Sequence, residues 1–461
     1  MTTAAGGRLR RSLGPIGVML LTLSALSPAF SFYIAGDTVL RMAGTGAGLA
    51  YLAGGLGSAI LALLFAEVGA AFPGAGGVYP SLAGALGQML AFPYVILLAP
   101  VAFAGTAFIA LGLSDYLAVL WPGEPRILVT LASLGLATGI AVLNIRTSSW
   151  ITGLFLAVEA AALALLAGIA ALHPVRPLVG VLIHPVMLDQ GRLIPTPPAT
   201  LALATVSGLW ATAGSIWALY FAEEMHEARQ KIGRVIAWTG ALAACAIALP
   251  MALTLMSAPD VKTLLGAPSP LADFLRQRAG PGVAAAVSVG VIAANFNCLV
   301  VSLMAYGRYI FSTARDGLWS DRLNRALSHI QPQNGAPVRA TLVVAALAAA
   351  AVFLGERFLL ILISGNVADY LLISLAIFIG RRTGRTGKDF RAPAHPLVPV
   401  FGLLVTAACV MADLMDPDAG RPSAILLASL FVGALIYFHF RLREASRNWR
   451  LLPAQDEPPK A

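Results

Sequence analysis

The stretch Ser27-Pro28-Ala29-Phe30-Ser31 interrupts an apolar run that extends from Leu13 to Leu40. A second interruption, Thr212-Ala213-Gly214-Ser215, falls within the apolar run from Thr200 to Phe221. An unpaired backbone group costs several kcal/mol in lipid, so irregular backbone at membrane depth is expected only where it lines a cavity. Two such breaks, each opening a similar series of apolar runs, predict a solute-binding site near the middle of a membrane.

The composition supports a membrane location for the whole chain. Of its 461 residues, 58% are hydrophobic and 11% are charged, and the mean hydropathy is +0.81. No soluble globular class has this balance, whereas a polytopic helical membrane protein requires it. We therefore predict an all-α bundle embedded in the lipid bilayer.

The net charge of +9 raises the question of a nucleic-acid partner, which the placement of the basic residues answers. Arginines and lysines gather in the two tails and in alternate loops, at residues 229–234, 315–325 and 381–391. This is the positive-inside pattern, which sets orientation in a membrane. It predicts a multi-pass protein of the cytoplasmic membrane with both termini in the cytoplasm, and no nucleic-acid partner.

A span needs about 20 apolar residues, which predicts about twelve spans. They are 13–41, 47–72, 89–120, 126–143, 149–171, 199–222, 233–257, 282–312, 338–354, 358–380, 397–414 and 423–440. Because the breaks fall in the first and sixth spans, 13–171 and 199–380 are predicted to form two inverted five-span units. The other segments are the tail 1–12, the extracytoplasmic loop 172–198, spans eleven and twelve within 381–440, and the tail 441–461. Spans eleven and twelve are a possible homodimer surface, and loop 257–281 is a candidate for a short helix.

The broken helices predict which chemical groups the solute presents. Pro28-Ala29 starts a new helical segment whose amides suit a carboxylate, and carbonyls at the helix ends suit an ammonium group. Together these features predict a zwitterionic amino acid. The aromatic and apolar candidates around it are Phe30, Phe103, Trp210, Ile216 and Trp217, and the backbone and polar candidates are Ser27, Pro28, Ala29, Ser31, Thr212, Ala213, Gly214 and Ser215. The alternatives are ordinary helix packing for the aromatic residues and kink stabilisation for the hydroxyls.

Polar residues inside predicted spans are the next signal, because they are costly in lipid and commonly functional. Glu159 lies about 15 Å into span five at 1.5 Å per residue, where removal from water makes it a candidate proton carrier. A hydrogen-bonded structural acid is the alternative. Asp369 in span ten either lines the pathway or caps a kink near Gly365. Asn295 and Asn297 in span eight face either a solute or a neighbouring helix.

The sequence contains no recognisable motif for catalysis or for binding a metal or cofactor. The three cysteines lie in separate apolar runs, the six histidines lack metal-ligand spacing, and no phosphate-binding loop or catalytic triad motif is present. We expect neither enzymatic activity, nor a metal, nor a cofactor.

Four short stretches occur in the order typical of one transporter group. They are Phe72-Pro73-Gly74-Ala75-Gly76-Gly77-Val78-Tyr79, Asn144-Ile145-Arg146-Thr147, Phe221-Ala222-Glu223-Glu224-Met225-His226-Glu227-Ala228 and Ala314-Arg315-Asp316-Gly317-Leu318-Trp319. With them the chain resembles permeases of the amino acid-polyamine-organocation superfamily. The resemblance implies the five-plus-five inverted-repeat (LeuT-like) fold, alternating access, and a solute held between spans one, three, six, eight and ten. It also implies a proton-coupling role in the region of Glu159, and packing and gating roles for the four stretches.

The first break departs from that family. Amino acid exchangers of the superfamily often carry a Gly-Ser/Thr-Gly loop there, whereas Pro28 removes an amide donor from this chain. We therefore predict a proton-coupled importer of an amino acid or a related small organic amine. The alternatives are an amino acid exchanger, a polyamine or organic amine permease and, less favoured, a solute-binding membrane sensor.

Overall fold

The computed structural model describes residues 9–121, 123–267, 269–442 and Trp449. The predicted tails 1–12 and 441–461 therefore lie largely outside the described residues. Within those residues, ten helices are long and apolar enough to cross a membrane: Pro15–Ala43, Gly46–Ala71, Gln88–Ala118, Ile145–Leu172, Pro198–Glu224, Ala228–Ser257, Pro281–Arg315, Glu356–Arg382, Leu397–Met415 and Gly420–Phe440. Two shorter apolar helices are Arg126–Ala141 and Val338–Leu354.

These helices occupy all twelve predicted positions, and their bounds differ from the predicted ones by a few residues. We number them spans one to twelve in chain order, so that the two shorter helices are spans four and nine. Whether spans four and nine cross the whole bilayer stays a prediction, because a helix needs about 20 residues to do so.

Short elements connect the spans. The helical connections are Tyr79–Leu86, Leu178–Ile183, Val261–Gly266, Pro270–Ala279 and Asp321–Leu327. The helix predicted in loop 257–281 is present as Pro270–Ala279, and its Leu271 amide donates to Asp37 Oδ1 of span one at 3.1 Å. Strands Val186–Asp189 and Arg192–Pro195 pair as an antiparallel hairpin, which the all-α prediction missed.

The end of the bundle that carries this hairpin is called the hairpin side below. The opposite end, where residues 9–13 lie, is called the tail side. Leu13 pairs there with Met225, and the Ser12 amide donates to the Glu224 carbonyl at 2.9 Å. The two names fix directions within the molecule without reference to a membrane.

Span one is divided at Ser27. Its parts are Pro15–Leu26, Pro28–Phe30, a π-helical turn Ser31–Ala35 and Gly36–Ala43. Ser27 has φ 49° and ψ 83°, a left-handed conformation that a helix cannot contain. Pro28 begins the next segment, as expected for a residue without an amide hydrogen.

Span six is divided at Ala213-Gly214. Helix Pro198–Thr212 ends at Ala213, which is extended with φ −88° and ψ 94°. The 3₁₀ turn Ser215–Trp217, helix Ala218–Phe221 and the 3₁₀ turn Ala222–Glu224 follow. Both helices are thus interrupted where the sequence predicted interruption.

Close backbone packing fixes span six against span two. A β-carbon on Gly54 would lie 2.4 Å from the Leu209 amide nitrogen, and one on Gly208 would lie 2.7 Å from the Ala50 carbonyl oxygen. Small residues of this kind let membrane helices approach one another closely. The first part of span six is therefore packed closely against span two just before the break.

Span ten bends as well, because helix Glu356–Ile363 passes through the 3₁₀ turn Ser364–Asn366 before Val367–Arg382. A β-carbon on Gly365 would lie 3.2 Å from the Leu97 carbonyl oxygen of span three. Asp369 follows one turn after this bend.

Candidate functional site

The two breaks touch each other. A β-carbon on Gly214 would lie 2.3 Å from Leu26 Cδ1 and 2.7 Å from Leu26 Cβ. Leu26 is the last residue of the first helical part of span one, and Gly214 is the second residue of the break in span six. The two breaks are therefore direct neighbours in the folded chain.

The Glu159 carboxyl group occupies the first break. Its Oε1 accepts a hydrogen bond from the Ala29 amide at 2.7 Å and another from Ser27 Oγ at 3.0 Å. The Ala29 amide is one of the first amides of the helical segment that begins at Pro28, and such amides favour negative charge. The position predicted for a solute carboxylate thus holds a carboxyl group of the protein itself.

The second oxygen of Glu159 is unpaired. Glu159 is fully buried, and its Oε2 atom has no hydrogen-bond partner among the described residues. An apolar groove of about 490 Å³ between spans one, five and seven is lined by Glu159, Pro28, Leu163, Leu249 and their neighbours. The Glu159 side chain therefore joins the first break to this groove.

Side chains also donate hydrogen bonds to carbonyls near the first break, where the sequence predicted free carbonyls for an ammonium group. Ser31 Oγ donates to the Leu26 carbonyl at 3.1 Å, and Cys298 Sγ donates to the Ala25 carbonyl at 3.0 Å. The Tyr51 hydroxyl donates to the Ser31 carbonyl at 3.3 Å. Ser31 and Cys298 thus satisfy two carbonyls at the end of the first helical part of span one, and Tyr51 of span two satisfies one carbonyl after the break.

In the second break, the Thr212 hydroxyl donates hydrogen bonds to carbonyls of its own helix. Thr212 Oγ1 donates to the carbonyls of Gly208 at 2.9 Å and Leu209 at 3.1 Å. The Ala213 amide donates to the Trp210 carbonyl at 3.3 Å, whereas Ser215 is buried beside Gly240 of span seven. The Thr212 hydroxyl is therefore engaged at the end of its own helix.

The predicted aromatic residues fall into two groups. Trp217 lies 5.5 Å from Tyr220 and 5.3 Å from Tyr306 between ring centroids, and Trp210 lies 5.4 Å from Tyr370. These contacts extend from the second break towards spans eight and ten. By contrast, Phe30 lines a separate cavity of about 120 Å³, and Phe103 and Ile216 are half-buried residues packed on the core.

The two asparagines of span eight differ in their surroundings. In the orientation that satisfies both atoms, the Asn295 amide donates to the Ile109 carbonyl at 3.1 Å and accepts from the Leu113 amide at 2.8 Å. Asn295 therefore joins spans eight and three. Asn297 is fully buried, and both of its amide atoms lack a hydrogen-bond partner among the described residues.

Asp369 lies among tyrosines of four spans. Tyr94, Tyr220, Tyr306 and Tyr370 are all within electrostatic reach of its carboxyl group. Asp369 is 6% exposed. The two candidate acids thus have distinct environments, one of backbone and hydroxyl donors and one of aromatic rings.

Three of the four family stretches converge on the tail side. Glu223 binds Arg315 at 2.8 Å and accepts from the Ala75 amide at 3.1 Å, and the Tyr79 hydroxyl donates to Asp316 at 2.9 Å. The fourth stretch provides a helix cap, because Asn144 Oδ1 accepts from the Thr147 amide at 2.9 Å. In the structure, residues of all four stretches therefore make packing or capping contacts.

Sequence reasoning did not select Cys298, Tyr94, Tyr220 or Tyr306. A usable signal was the pair Tyr306 and Tyr309, which place polar hydroxyls one helical turn apart in an otherwise apolar span. No comparable signal marked Cys298. Within the described residues, no three His, Cys, Asp or Glu side chains are grouped as a metal site.

Among the described residues, ten helices long and apolar enough to cross a membrane, two of them interrupted where they contact each other, define a multi-pass membrane protein. A family model for amino acid permeases matches residues 13–438. The chain therefore belongs to the amino acid permease family, in agreement with the resemblance to the amino acid-polyamine-organocation superfamily.

Curated relatives are similar over most of their length. A methylthioribose transporter of Bacillus subtilis is 24% identical, with 95% of each chain covered. A branched-chain amino acid permease of Lactococcus lactis is 24% identical over 90% of this chain and 91% of its own. A human cationic amino acid transporter 4 is 25% identical over 81% of this chain and 60% of its own. The family and these relatives are transporters, in accord with a transport role for this chain and not an enzymatic one.

Proposed function

We propose that this protein is a proton-coupled secondary transporter that imports an amino acid by alternating access. Spans one to five (13–171) and six to ten (199–380) form its two inverted units, and the tail side faces the cytoplasm. Membership of the family supports amino acid transport. The hydrogen bond between Glu159 and the Ala29 amide is the observation that carries the coupling.

The coupling follows from competition between two carboxylates for one helix start. An ionised carboxylate is a stronger acceptor of amide hydrogens than its protonated form. While Glu159 is ionised, it holds the Ala29 amide and the Ser27 hydroxyl. A proton on Glu159 weakens that hold, so a solute carboxylate can replace it at the same donors. Proton and solute therefore bind together, which is the requirement for symport.

The same contact favours a second candidate function. If Glu159 stays at the helix start throughout the cycle, a solute carboxylate has no donor there, and an organic amine without a carboxylate fits the site better. Pro28 adds to this argument, because it removes one further amide. The similarity to a methylthioribose transporter also shows that carriers of related sequence are not all named for amino acids.

Reconstituted uptake tests both candidates. Proteoliposomes containing the full chain would be given labelled amino acids or amines with an inward proton gradient, with and without internal counter-solute. We expect gradient-driven uptake of an amino acid in the absence of counter-solute. Uptake that requires counter-solute and ignores the gradient identifies an exchanger. Uptake confined to amines supports the second candidate, and binding without any flux identifies a sensor.

Glu159→Gln provides the decisive variant, because glutamine keeps the shape and an acceptor oxygen but cannot titrate. We expect solute affinity to become independent of pH and gradient-driven accumulation to be lost. Glu356→Gln is the matched control, since Glu356 is a half-exposed acid that pairs with Arg126. Unchanged pH dependence of uptake in Glu159→Gln would refute the coupling role.

A further inference from the structure

The acid of span ten has no part in the coupling scheme above. Asp369 is only 6% exposed, and yet its Oδ1 atom lacks a hydrogen-bond partner among the described residues. The salt bridges found between described residues do not include it. A buried carboxylate is costly unless a positive group or hydrogen-bond donors accompany it. The Asp369 side chain is thus suited to receive a cation from outside the protein.

The surroundings of Asp369 suit an organic cation in particular. The Tyr94 hydroxyl lies next to the carboxyl group, where it is placed to donate to it. Tyr220 and Tyr306 lie near the same carboxyl group and pack edge to face, with centroids 5.8 Å apart. Aromatic faces attract ammonium and guanidinium groups. Asp369 and the rings together provide charge and contact area for such a group.

The tyrosines connect Asp369 to the break in span six. Trp217, at the end of that break, contacts the rings of both Tyr220 and Tyr306. On the other side, Trp210 contacts Tyr370, the residue after Asp369. An amino acid whose backbone groups lie at the breaks could therefore extend a long side chain along these aromatic residues towards Asp369.

We propose that Asp369 binds the cationic side-chain group of a basic amino acid, such as lysine, ornithine or arginine. The inference rests on the proposed function, since it assigns the substrate class of the same site. The aromatic residues contact the aliphatic part of this side chain, and Asp369 contacts its charged end.

Lysine and norleucine test this proposal, because their chains differ chiefly in the terminal ammonium group. Binding of each would be measured with the purified full chain, and uptake with proteoliposomes. We expect wild-type protein to bind lysine at least about tenfold more tightly than norleucine, since a charge-assisted contact is lost in norleucine. In Asp369→Asn the preference should disappear, while norleucine binding remains.

The control variant is Asp413→Asn in span eleven, which should keep the wild-type preference for lysine. The wild-type ratio tests the proposal by itself if Asp369→Asn does not fold. Equal or weaker binding of lysine by the wild type, or an unchanged ratio in Asp369→Asn, overturns the assignment. The assignment is also overturned, in favour of an inorganic cation, if sodium or potassium chloride stabilises the wild type, Asp369→Asn abolishes this effect and lysine is not preferred.

The same measurements separate this proposal from the proposed function. Norleucine uptake without lysine preference leaves the proposed function intact, whereas absence of all amino acid uptake contradicts both.

Discussion

Arg308 of span eight and Glu224 at the end of span six form a buried ion pair. Arg308 Nε lies 2.5 Å from Glu224 Oε2, and Nη2 donates to Oε1 at 3.1 Å, with both side chains 2% exposed. The guanidinium also lies 5.1 Å from the Phe221 ring centroid and donates to the Met304 carbonyl. The pair therefore fixes the tail-side end of span six against span eight.

Removing only one partner of this pair should destabilise the protein strongly. Arg308→Met leaves Glu224 buried without its cation, which typically costs about 3–5 kcal/mol. Thermal unfolding in detergent would measure the loss. We expect the double variant Arg308→Met, Glu224→Met to recover part of it. Arg357→Gln is the control, because the Arg357–Asp418 pair is exposed and worth about 0–1 kcal/mol. Equal effects of the two arginine replacements would contradict the argument.

Gly214→Ala should disturb the contact between the two breaks. The added methyl group would overlap Leu26, and an overpacked core commonly loses about 1–3 kcal/mol. We expect a lower melting temperature and slower uptake, with partial recovery in the double variant Gly214→Ala, Leu26→Ala. Gly139→Ala provides the control, since a β-carbon there meets nothing within 4 Å. Wild-type stability and uptake in Gly214→Ala would show that the breaks do not pack as described.

Asp316 should make stability depend on pH. Burial raises its pKa from 3.8 to about 6, even though Arg315 and Tyr79 favour the ionised form. The folded protein thus binds this proton more tightly than the unfolded chain. The contribution of Asp316 to the free energy of unfolding is therefore largest at low pH and is lost as pH rises through 6.

Asp316→Asn removes this titration while keeping the shape of the side chain. Its stability relative to wild type should increase between pH 5 and pH 8, by about 1.4 kcal/mol. Melting temperatures of both proteins across this range provide the measurement. A difference that stays constant with pH would show that Asp316 does not titrate in this way.

Trp449→Ala should loosen the tail side. The Trp449 indole is 4% exposed, stacks on Tyr79 with centroids 6.1 Å apart, and donates to the Tyr79 hydroxyl at 2.7 Å. Loss of a buried tryptophan commonly costs about 3–5 kcal/mol. Hydrogen exchange should therefore accelerate in helix Tyr79–Leu86. Trp121→Ala is the control, since that side chain is 55% exposed. Unaltered exchange in Trp449→Ala would exclude a stabilising role for this contact.

The positions of the spans and of both breaks could be predicted from the sequence, because each depends on local chemistry. Apolar runs of about 20 residues locate the helices, and Pro28 and Gly214 mark positions where a helix is hard to continue. The hairpin was missed because its strands, Val186–Asp189 and Arg192–Pro195, are four residues each and lie in a proline-rich loop. Such short pairs carry little periodic signal.

The contacts within the site could not be predicted in the same way. Glu159 was selected because an acid in a span is rare, but its partner Ala29 is 130 residues away in the chain. Cys298 and Ala25 are 273 residues apart. No local pattern relates such pairs, since only the packing of whole helices brings them together. The sequence therefore predicts the acid and the break separately, and only the structure shows the hydrogen bond between them.

The Glu159 contact has a consequence for the resting protein. If the carboxyl group of Glu159 mimics the solute at the helix start, the vacant transporter already carries a tethered surrogate ligand. Slippage, in which protons or solutes cross alone, then requires this tethered group to leave without a replacement. On the proposed coupling, a side chain of span five would therefore protect the first break against such leakage.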